Sequence, residues 1–337
     1  MRVAVFSAKA YDRLSLDAAN GEVGHRIDYF DAHLDASTAT LAAGYDGVCV
    51  FVNDRLDRAA LEQLAAGGVR IVALRCAGFN NVDLQAAQAL GLTVTRVPAY
   101  SPQAVAEFTI GLILAVNRHI PRAWNRVREN NFSLDGLIGK TLSGRTAGVI
   151  GGGRVGALVA QALRRGFGCE VLVADLSRDP ALLEAGVRYA SAQELIAESD
   201  IISLHCPLTP ETRHIIDADA IARARPGVII VNTSRGALID TAALIEGLKS
   251  RKVGAVALDV YEQEADLFFE DLSNEIVTDD VFQRLLTFPN VVVTGHQAFF
   301  TIEALDAIAQ VTLDSLKRFE TGEPLTTRVD PTVVRAG

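Results

Sequence analysis

Apolar and polar positions along residues 1–98 alternate between two periods. Short apolar runs recur at Val3–Phe6, Ile27–Phe30, Val48–Val52, Ile71–Leu74 and Thr93–Val97, and each predicts a strand. Between them the period lengthens to that of a helix. It is clearest in Asp57–Ala66, where Leu61, Leu64 and Ala65 share a face, and in Val82–Leu90, ended by Gly91. Strands alternating with helices predict an α/β fold with a parallel sheet covered on both faces. Residues 140–295 repeat the pattern. Strands are expected at Ala147–Ile150, Val171–Ala174, Ile201–His205, Val228–Asn232, Ala255–Asp259 and Val291–Thr294, the six of a dinucleotide-binding sheet.

The segments outside these runs complete the predicted layout. Gln103–Ile120 reads as a helix that is apolar nearly all round through Phe108–Val116. That pattern suits burial between domains or at a subunit contact. Pro121 is expected to interrupt it, with the polar Arg122–Asn131 following. Phe268–Phe288 carries Glu270, Asp271, Glu275, Asp279 and Asp280, and reads as a solvated loop with a short helix. After His296 a last helical pattern, Thr301–Phe319, precedes a polar tail. The chain is expected to cross back there and complete the first domain. The predicted organisation is therefore 1–100 plus 299–337 as a discontinuous substrate domain and 101–298 as a dinucleotide-binding domain.

Within the second repeat, Thr146–Asp175 reads strand, glycine turn, helix, strand. Gly151, Gly153 and Gly156 form G-x-G-x-x-G directly after an apolar strand. The first glycine allows the tight turn, the second lets the backbone approach a pyrophosphate, and the third lets the helix pack close on the strand. The helix N-terminus offers free N–H groups and a positive dipole end to the phosphates. Asp175 ends the next strand, where a carboxylate accepts from a ribose 2′-OH and repels a 2′-phosphate. NAD is thus favoured over NADP, with Arg178 nearby as an opposing charge. The first repeat has no such glycine motif after its first strand.

Bulk properties narrow the partners. The chain has 337 residues, enough for two cores, and a formal charge of −9, which argues against nucleic acid or an acidic membrane surface. No cationic segment leading into an apolar core marks a secretory signal, and Phe108–Val116 is too short to cross a bilayer. Cys49, Cys76, Cys169 and Cys206 form no C-x-x-C pair and lie in or beside apolar runs, as in a reduced, cytoplasmic protein. The six histidines show no metal spacing, so no metal is expected.

Ligands of open α/β sheets bind beyond the carboxyl ends of the strands. Four groups of polar residues lie there: Arg235; Asp259 with Glu264 soon after; His296; and the turn Arg75–Asn81. An arginine, a carboxylate and a histidine suit hydride transfer to a 2-keto acid. The guanidinium holds the substrate carboxylate by two bonds. The histidine donates a proton to the carbonyl oxygen, and the carboxylate favours the imidazolium and fixes its tautomer. Spacing alone leaves Glu262 as a rival to Glu264. Singly, each of these residues is more often a surface charge or a hydrogen-bonded structural group.

Seven strings carry a resemblance: RCAGFNNVDL (75–84), VPAYSPQAVAE (97–107), AGVIGGGRVG (147–156), SLHCPLTP (203–210), IVNTSRGALID (230–240), LDVYEQEADLFFED (258–271) and NVVVTGHQAF (290–299). In register over nearly the whole chain, they resemble the D-isomer-specific 2-hydroxyacid dehydrogenase family, in particular its bacterial fermentative D-lactate dehydrogenase branch. The resemblance implies a flavodoxin-like substrate domain and a Rossmann-like NAD domain, with the substrate in the cleft between them. It implies that Arg235 binds the carboxylate, that His296 is the proton donor and that Glu264, rather than Glu262, is its partner. Gly151, Gly153, Arg154, Val155, Gly156, Asp175, Cys206, Pro207, Thr212, Thr233, Ser234, Arg235 and Asp259 match cofactor-contacting positions. Gly78 and Phe79 match the loop whose amides meet the substrate carboxylate, and Tyr100 and Phe299 match side chains that bound the pocket. Gly152 departs from the family, whose members often carry threonine or leucine there. A homodimer or homotetramer reducing pyruvate with NADH is the implied protein. Reduction of another keto acid (phenylpyruvate, glyoxylate, hydroxypyruvate) and an NAD-sensing corepressor-like role are the alternatives.

Overall fold

The computed structural model describes residues 1–264 and 267–329. It divides into two compact units, one formed by Met1–Ser101 with the chain from Phe300 onward, the other by Pro102–Phe299. Residues 265–266 of the LDVYEQEADLFFED string and 330–337 of the expected first domain lie outside the described residues.

The first unit is built on five strands, β1 (Arg2–Val5), β2 (Arg26–Tyr29), β3 (Gly47–Val50), β4 (Ile71–Leu74) and β5 (Thr93–Arg96). They lie in the order β2-β1-β3-β4-β5, all parallel, which is the flavodoxin-like order. Val3, Val5, Cys49, Ile71 and Ala73 meet Leu16 of the helix Ala10–Val23 and Ala309, Leu313 and Leu316 of the helix Ile302–Thr321. That last helix starts where Thr301 accepts from the Ala304 N–H at 3.2 Å, and ends on Gly322 at φ +73°. The residues after it do more than trail as a polar tail. The Arg96 N–H donates to the Thr327 carbonyl (3.0 Å) and the Val329 N–H to the Val94 carbonyl (2.8 Å), so this stretch covers the free edge of β5.

The second unit holds seven parallel strands, β6 (Thr146–Ile150), β7 (Glu170–Ala174), β8 (Arg188–Tyr189), β9 (Ile201–Leu204), β10 (Val228–Asn232), β11 (Val253–Leu258) and β12 (Val291–Val293). Their order is β12-β11-β10-β9-β6-β7-β8. Counted from β6, this is the Rossmann order with one strand added at the far edge. The added strand is β12, whereas the strand that the six-strand pattern misses is β8. It is two residues long and sits at the sheet edge, so it has no apolar run to betray it.

Both faces of this sheet are covered. Leu112, Ile113 and Val116 of the helix Pro102–Asn117 pack with Val149, Val159, Ile201, Val231 and Ala257, while Leu195, Ile202, Ile221, Ile230, Leu244 and Val256 fill the other side. The apolar helix ends at Asn117 rather than Ile120, and the break falls on His119 (φ +53°), not on Pro121. Pro121 lies in the first turn of a new helix, Ile120–Arg128, where its missing N–H has no partner to lose. The acidic excursion is also less solvated than its composition suggests. Phe268 and Leu285 are buried, and Asp279 both caps the helix Asp280–Leu286 and accepts from the Tyr261 hydroxyl at 2.8 Å. Among the described residues no helix is long and apolar enough to cross a membrane.

Candidate active site

The strand order of the second unit reverses between β6 and β9, where ligands of such sheets bind. The glycine turn lies at that point. Gly151 has φ +97°, and a Cβ there would stand 2.4 Å from the Cys206 nitrogen at the end of β9. A Cβ on Gly156 would stand 1.8 Å from the Gly151 carbonyl oxygen, so the helix Arg154–Gln161 can approach only with glycine there. Gly153 caps that helix without any side-chain bond, and a Cβ on it would meet nothing within 4 Å. The uncapped N–H groups of Arg154, Val155 and Gly156 therefore open a backbone cradle for a pyrophosphate. Asp175, exposed at the end of β7, accepts from the Gly152 N–H (2.6 Å) through one oxygen and from the Ser177 N–H (2.9 Å) through the other. Arg178 stacks over the Tyr189 ring. These residues fit an NAD dinucleotide. A Cβ at Gly152 would lie 3.0 Å from Val173, a tight contact rather than an open turn.

The other cofactor-matched residues line neighbouring strand ends. The Cys206 carbonyl accepts from the Ser234 hydroxyl (2.9 Å), and the Pro207 carbonyl from the Thr212 hydroxyl (2.6 Å). Thr233, nearly buried, is held to Thr109 of the apolar helix at 2.8 Å. All four cysteines are buried free thiols, and burial pushes the Cys206 thiol up to about 11.

The residues expected to bind and protonate the substrate, Arg235, Glu264 and His296, follow β10, β11 and β12. His296 Nδ1 lies 2.9 Å from Glu264 Oε1, and Glu264 Oε2 accepts from the Tyr261 N–H at 2.9 Å. Engagement of Nδ1 leaves Nε2 as the ring nitrogen that can exchange a proton with a ligand. The His296 backbone is left-handed, at φ +53°, a conformation that a residue of this size holds only when its surroundings over-determine it. Asp259 does so. It is fully buried, and its carboxylate accepts from the Thr294 hydroxyl (2.5 Å) and from the Gln297 (2.9 Å) and Ala298 (2.8 Å) N–H groups. The His296 N–H donates to its carbonyl oxygen at 2.7 Å. Burial raises the Asp259 carboxyl above the usual range, and these hydrogen bonds oppose the rise. Asp259, matched to the cofactor by resemblance, thus commits its carboxylate to the loop that carries His296.

Glu262 is occupied elsewhere. It meets His214 Nε2 at 2.7 Å and Arg213 at 3.2 Å, and accepts from the Thr241 hydroxyl at 3.4 Å. Arg235 follows β10, half-buried, with one guanidinium nitrogen donating to the Ser234 carbonyl at 2.7 Å. Its turn abuts the Glu264 loop, for a Cβ on Gly236 would stand 2.0 Å from the Tyr261 carbonyl carbon. Sequence reasoning overlooked Gly236. The signal was its place between Arg235 and the strand-end acids.

The remaining candidates lie in the first unit, apart from Phe299, which is buried at the end of the second. Gly78 and Phe79 belong to the loop after β4, where the Gly78 carbonyl accepts from the Cys76 thiol (3.3 Å) and Arg96 stacks over the Phe79 ring. Tyr100 is half-buried, one residue before the unit ends. Arg75 faces inward. It is fully buried, pairs with Asp12 at 3.1 Å and donates to the Phe6 and Ser7 carbonyls, so it knits strand ends together rather than reaching a ligand. Among the described residues no group of His, Cys, Asp and Glu could hold a metal ion.

Comparison with known proteins agrees with this architecture. The family model described as "D-isomer specific 2-hydroxyacid dehydrogenase, NAD binding domain" matches residues 110–298. A "2-hydroxyacid dehydrogenase homolog" of Haemophilus influenzae is 54% identical over 96% of this chain and 97% of its own. The D-lactate dehydrogenase of Escherichia coli is 53% identical over 96% of this chain and 98% of its own. A solved structure described as the pyruvate reductase of Chlamydomonas reinhardtii superimposes with a TM-score of 0.91 at 42% identity, covering 97% of this chain and 98% of that one.

Proposed function

The chain belongs to the D-isomer specific 2-hydroxyacid dehydrogenase family, and from that premise we propose that it reduces pyruvate to D-lactate. The observation that carries this reading is the 2.9 Å contact between His296 Nδ1 and Glu264, beside the Arg235 turn, in a unit with an NAD cradle. NADH, when bound, supplies the hydride that the carbonyl carbon accepts. The backbone at Gly151–Gly156 and the Asp175 carboxylate hold the dinucleotide. Arg235 clamps the substrate carboxylate through its planar fork. His296 gives the proton on Nε2 to the carbonyl oxygen and regains one from water, which balances the two-electron reduction. Glu264 faces the positive charge on the imidazole and keeps Nδ1 protonated, so that Nε2 is the site of exchange. Asp259 fixes the loop from Thr294 to Ala298 and so the direction of the ring.

Gly78 and Phe79, with Tyr100 and Phe299, are assigned to the substrate by their match to the family. The 101–298 segment is assigned the cofactor and the remainder the substrate. A homodimer or homotetramer is part of the same proposal, supported by the exposed Ile120, Trp124, Val127, Phe132, Leu134 and Ile138 on one stretch of the second unit. A reducing cytoplasmic setting suits the four buried thiols.

The test is NADH oxidation with a panel of pyruvate, phenylpyruvate, glyoxylate and hydroxypyruvate, repeated with NADPH. Pyruvate with NADH should give the highest kcat/KM. His296→Ala should abolish most turnover while NADH affinity stays near wild type. Arg235→Lys keeps the charge without the fork and should severely weaken pyruvate use. Wild-type rates in His296→Ala would remove that residue from its role. A chain that binds NADH but turns over no keto acid would instead support a dinucleotide-sensing protein.

A further inference from the structure

Among the left-handed non-glycine residues of the second unit, His296 and Phe269 face each other. His296 is at φ +53° and Phe269 at φ +70°, and their rings lie 5.6 Å apart, tilted by 40°. A left-handed phenylalanine is a conformational outlier that glycine or asparagine would fill more cheaply. Its neighbour explains how it is held. Phe268 is buried and meets the Phe282 ring edge-on at 6.0 Å, and Phe282 in turn packs on Tyr261 at 5.1 Å. The Phe268 N–H donates to the Glu264 carbonyl at 2.9 Å. Phe268 is therefore pinned to the core and to the backbone of the residue that partners His296. With that anchor fixed, the left-handed step at Phe269 turns the next ring onto the imidazole.

We infer that Phe269 is a positioning residue for His296. Its ring limits rotation of the imidazole, and the left-handed backbone at Phe269 is what turns that ring onto it. This rests on the acid–base role proposed above for His296. The contribution expected is orientation, since misplacing a reacting group by about 1 Å can cost on the order of a hundredfold in rate.

Phe269→Ala, Phe269→Gly and Phe269→Tyr separate the ring from the backbone. The Ala and Gly variants should lose about tenfold or more in kcat with KM for pyruvate little changed, in keeping with a role in orientation. The solvent deuterium isotope effect on kcat should rise, because proton transfer from a loosened imidazole becomes slower. Phe269→Tyr should restore most of kcat. Phe269→Gly should melt higher than Phe269→Ala, since only glycine relaxes at φ +70°. Independently of turnover, the proton on His296 Nδ1 should give a slowly exchanging imidazole signal in the wild type that exchanges rapidly in the Ala and Gly variants. A kcat within twofold of wild type in both, or an Nδ1 proton equally protected in both, would overturn the inference. Loss of the acid–base reading would look different: His296→Ala would stay active while the exchange result stood by itself.

Discussion

Replacing Glu264 by glutamine tests the acid–base pair at the level of single atoms. The carboxylate now meets His296 Nδ1 through Oε1 and accepts from the Tyr261 N–H through Oε2, each at 2.9 Å. An amide of the same shape has one acceptor oxygen and one donor nitrogen. If the oxygen stays on Tyr261, the NH2 group faces Nδ1 and forces that nitrogen to act as acceptor. If the amide flips, the Tyr261 N–H is left facing a donor. Either way the negative charge beside the imidazole is gone. Hydrogen bonds to charged groups contribute roughly 1.5–3 kcal/mol. The two side chains retain 16% and 23% of their exposure, so water screens part of this, and about 2 kcal/mol is the appropriate share. At 1.36 kcal/mol per factor of ten, kcat/KM for pyruvate should fall about thirtyfold. The assay is steady-state NADH oxidation, with NADH binding by fluorescence and thermal melting as controls, both close to wild type. Glu262→Gln is the matched comparison. Its partners are His214, Arg213 and Thr241, so kcat/KM should change by only a few fold. If Glu264→Gln keeps wild-type kcat/KM, or Glu262→Gln loses as much, the assignment of the pair is wrong.

Two further perturbations probe the scaffold. Gly236→Ala would place a methyl 2.0 Å from the Tyr261 carbonyl carbon and 2.3 Å from the Glu262 nitrogen, so the Arg235 turn or the Glu264 loop must shift. Overpacking of this kind costs roughly 1–3 kcal/mol, and kcat/KM should drop more than the melting temperature suggests; unchanged kinetics would show that the two loops are not coupled there. His205, beside Ser203 at 2.8 Å, is held by burial down to about 4 against an ordinary 6.5. The unfolded chain therefore takes up a proton before the folded one does, and the stabilisation is complete above pH 6.5 and lost as pH falls towards 4. The loss is up to about 3 kcal/mol, and His205→Gln should flatten that part of the melting-temperature profile; an identical slope in both proteins would assign the acid sensitivity elsewhere.

The central strands β3, β4, β9 and β10 were legible in the sequence because they are buried along their whole length, and a doubly buried strand shows as a near-continuous apolar run. The two-residue β8 has exposed or half-exposed residues and escaped for the same reason in reverse. The glycine turn was legible because two of its glycines, Gly151 and Gly156, are demanded by backbone approaches under 2.5 Å, while the third, Gly153, leaves open space over the helix N-terminus. Pro121 misled because proline ends a helix from within but begins one without cost, and the pattern does not say which side of the break it occupies. The partner of His296 was not legible from spacing, since Glu262 and Glu264 are both near the end of β11. The contacts of Asp259 and Phe269 depend on loop backbone, including a left-handed phenylalanine that no periodicity encodes.

Three acids within six residues after β11 show why composition could not sort their roles. Asp259, Glu262 and Glu264 carry the same formal charge, but what each can offer an imidazole depends on what has already claimed it. Asp259 is sealed from water and has its oxygens filled by one hydroxyl and two backbone N–H groups. It acts on the histidine through the backbone. Glu262 is claimed by an arginine and a second histidine. Only Glu264 combines an oxygen on the ring nitrogen with a partner, the Tyr261 N–H, that carries no net charge. It is the one acid of the three whose carboxylate meets the imidazole nitrogen directly. The chemistry of the site is set by the distribution of donors among these carboxylates, more than by how many there are.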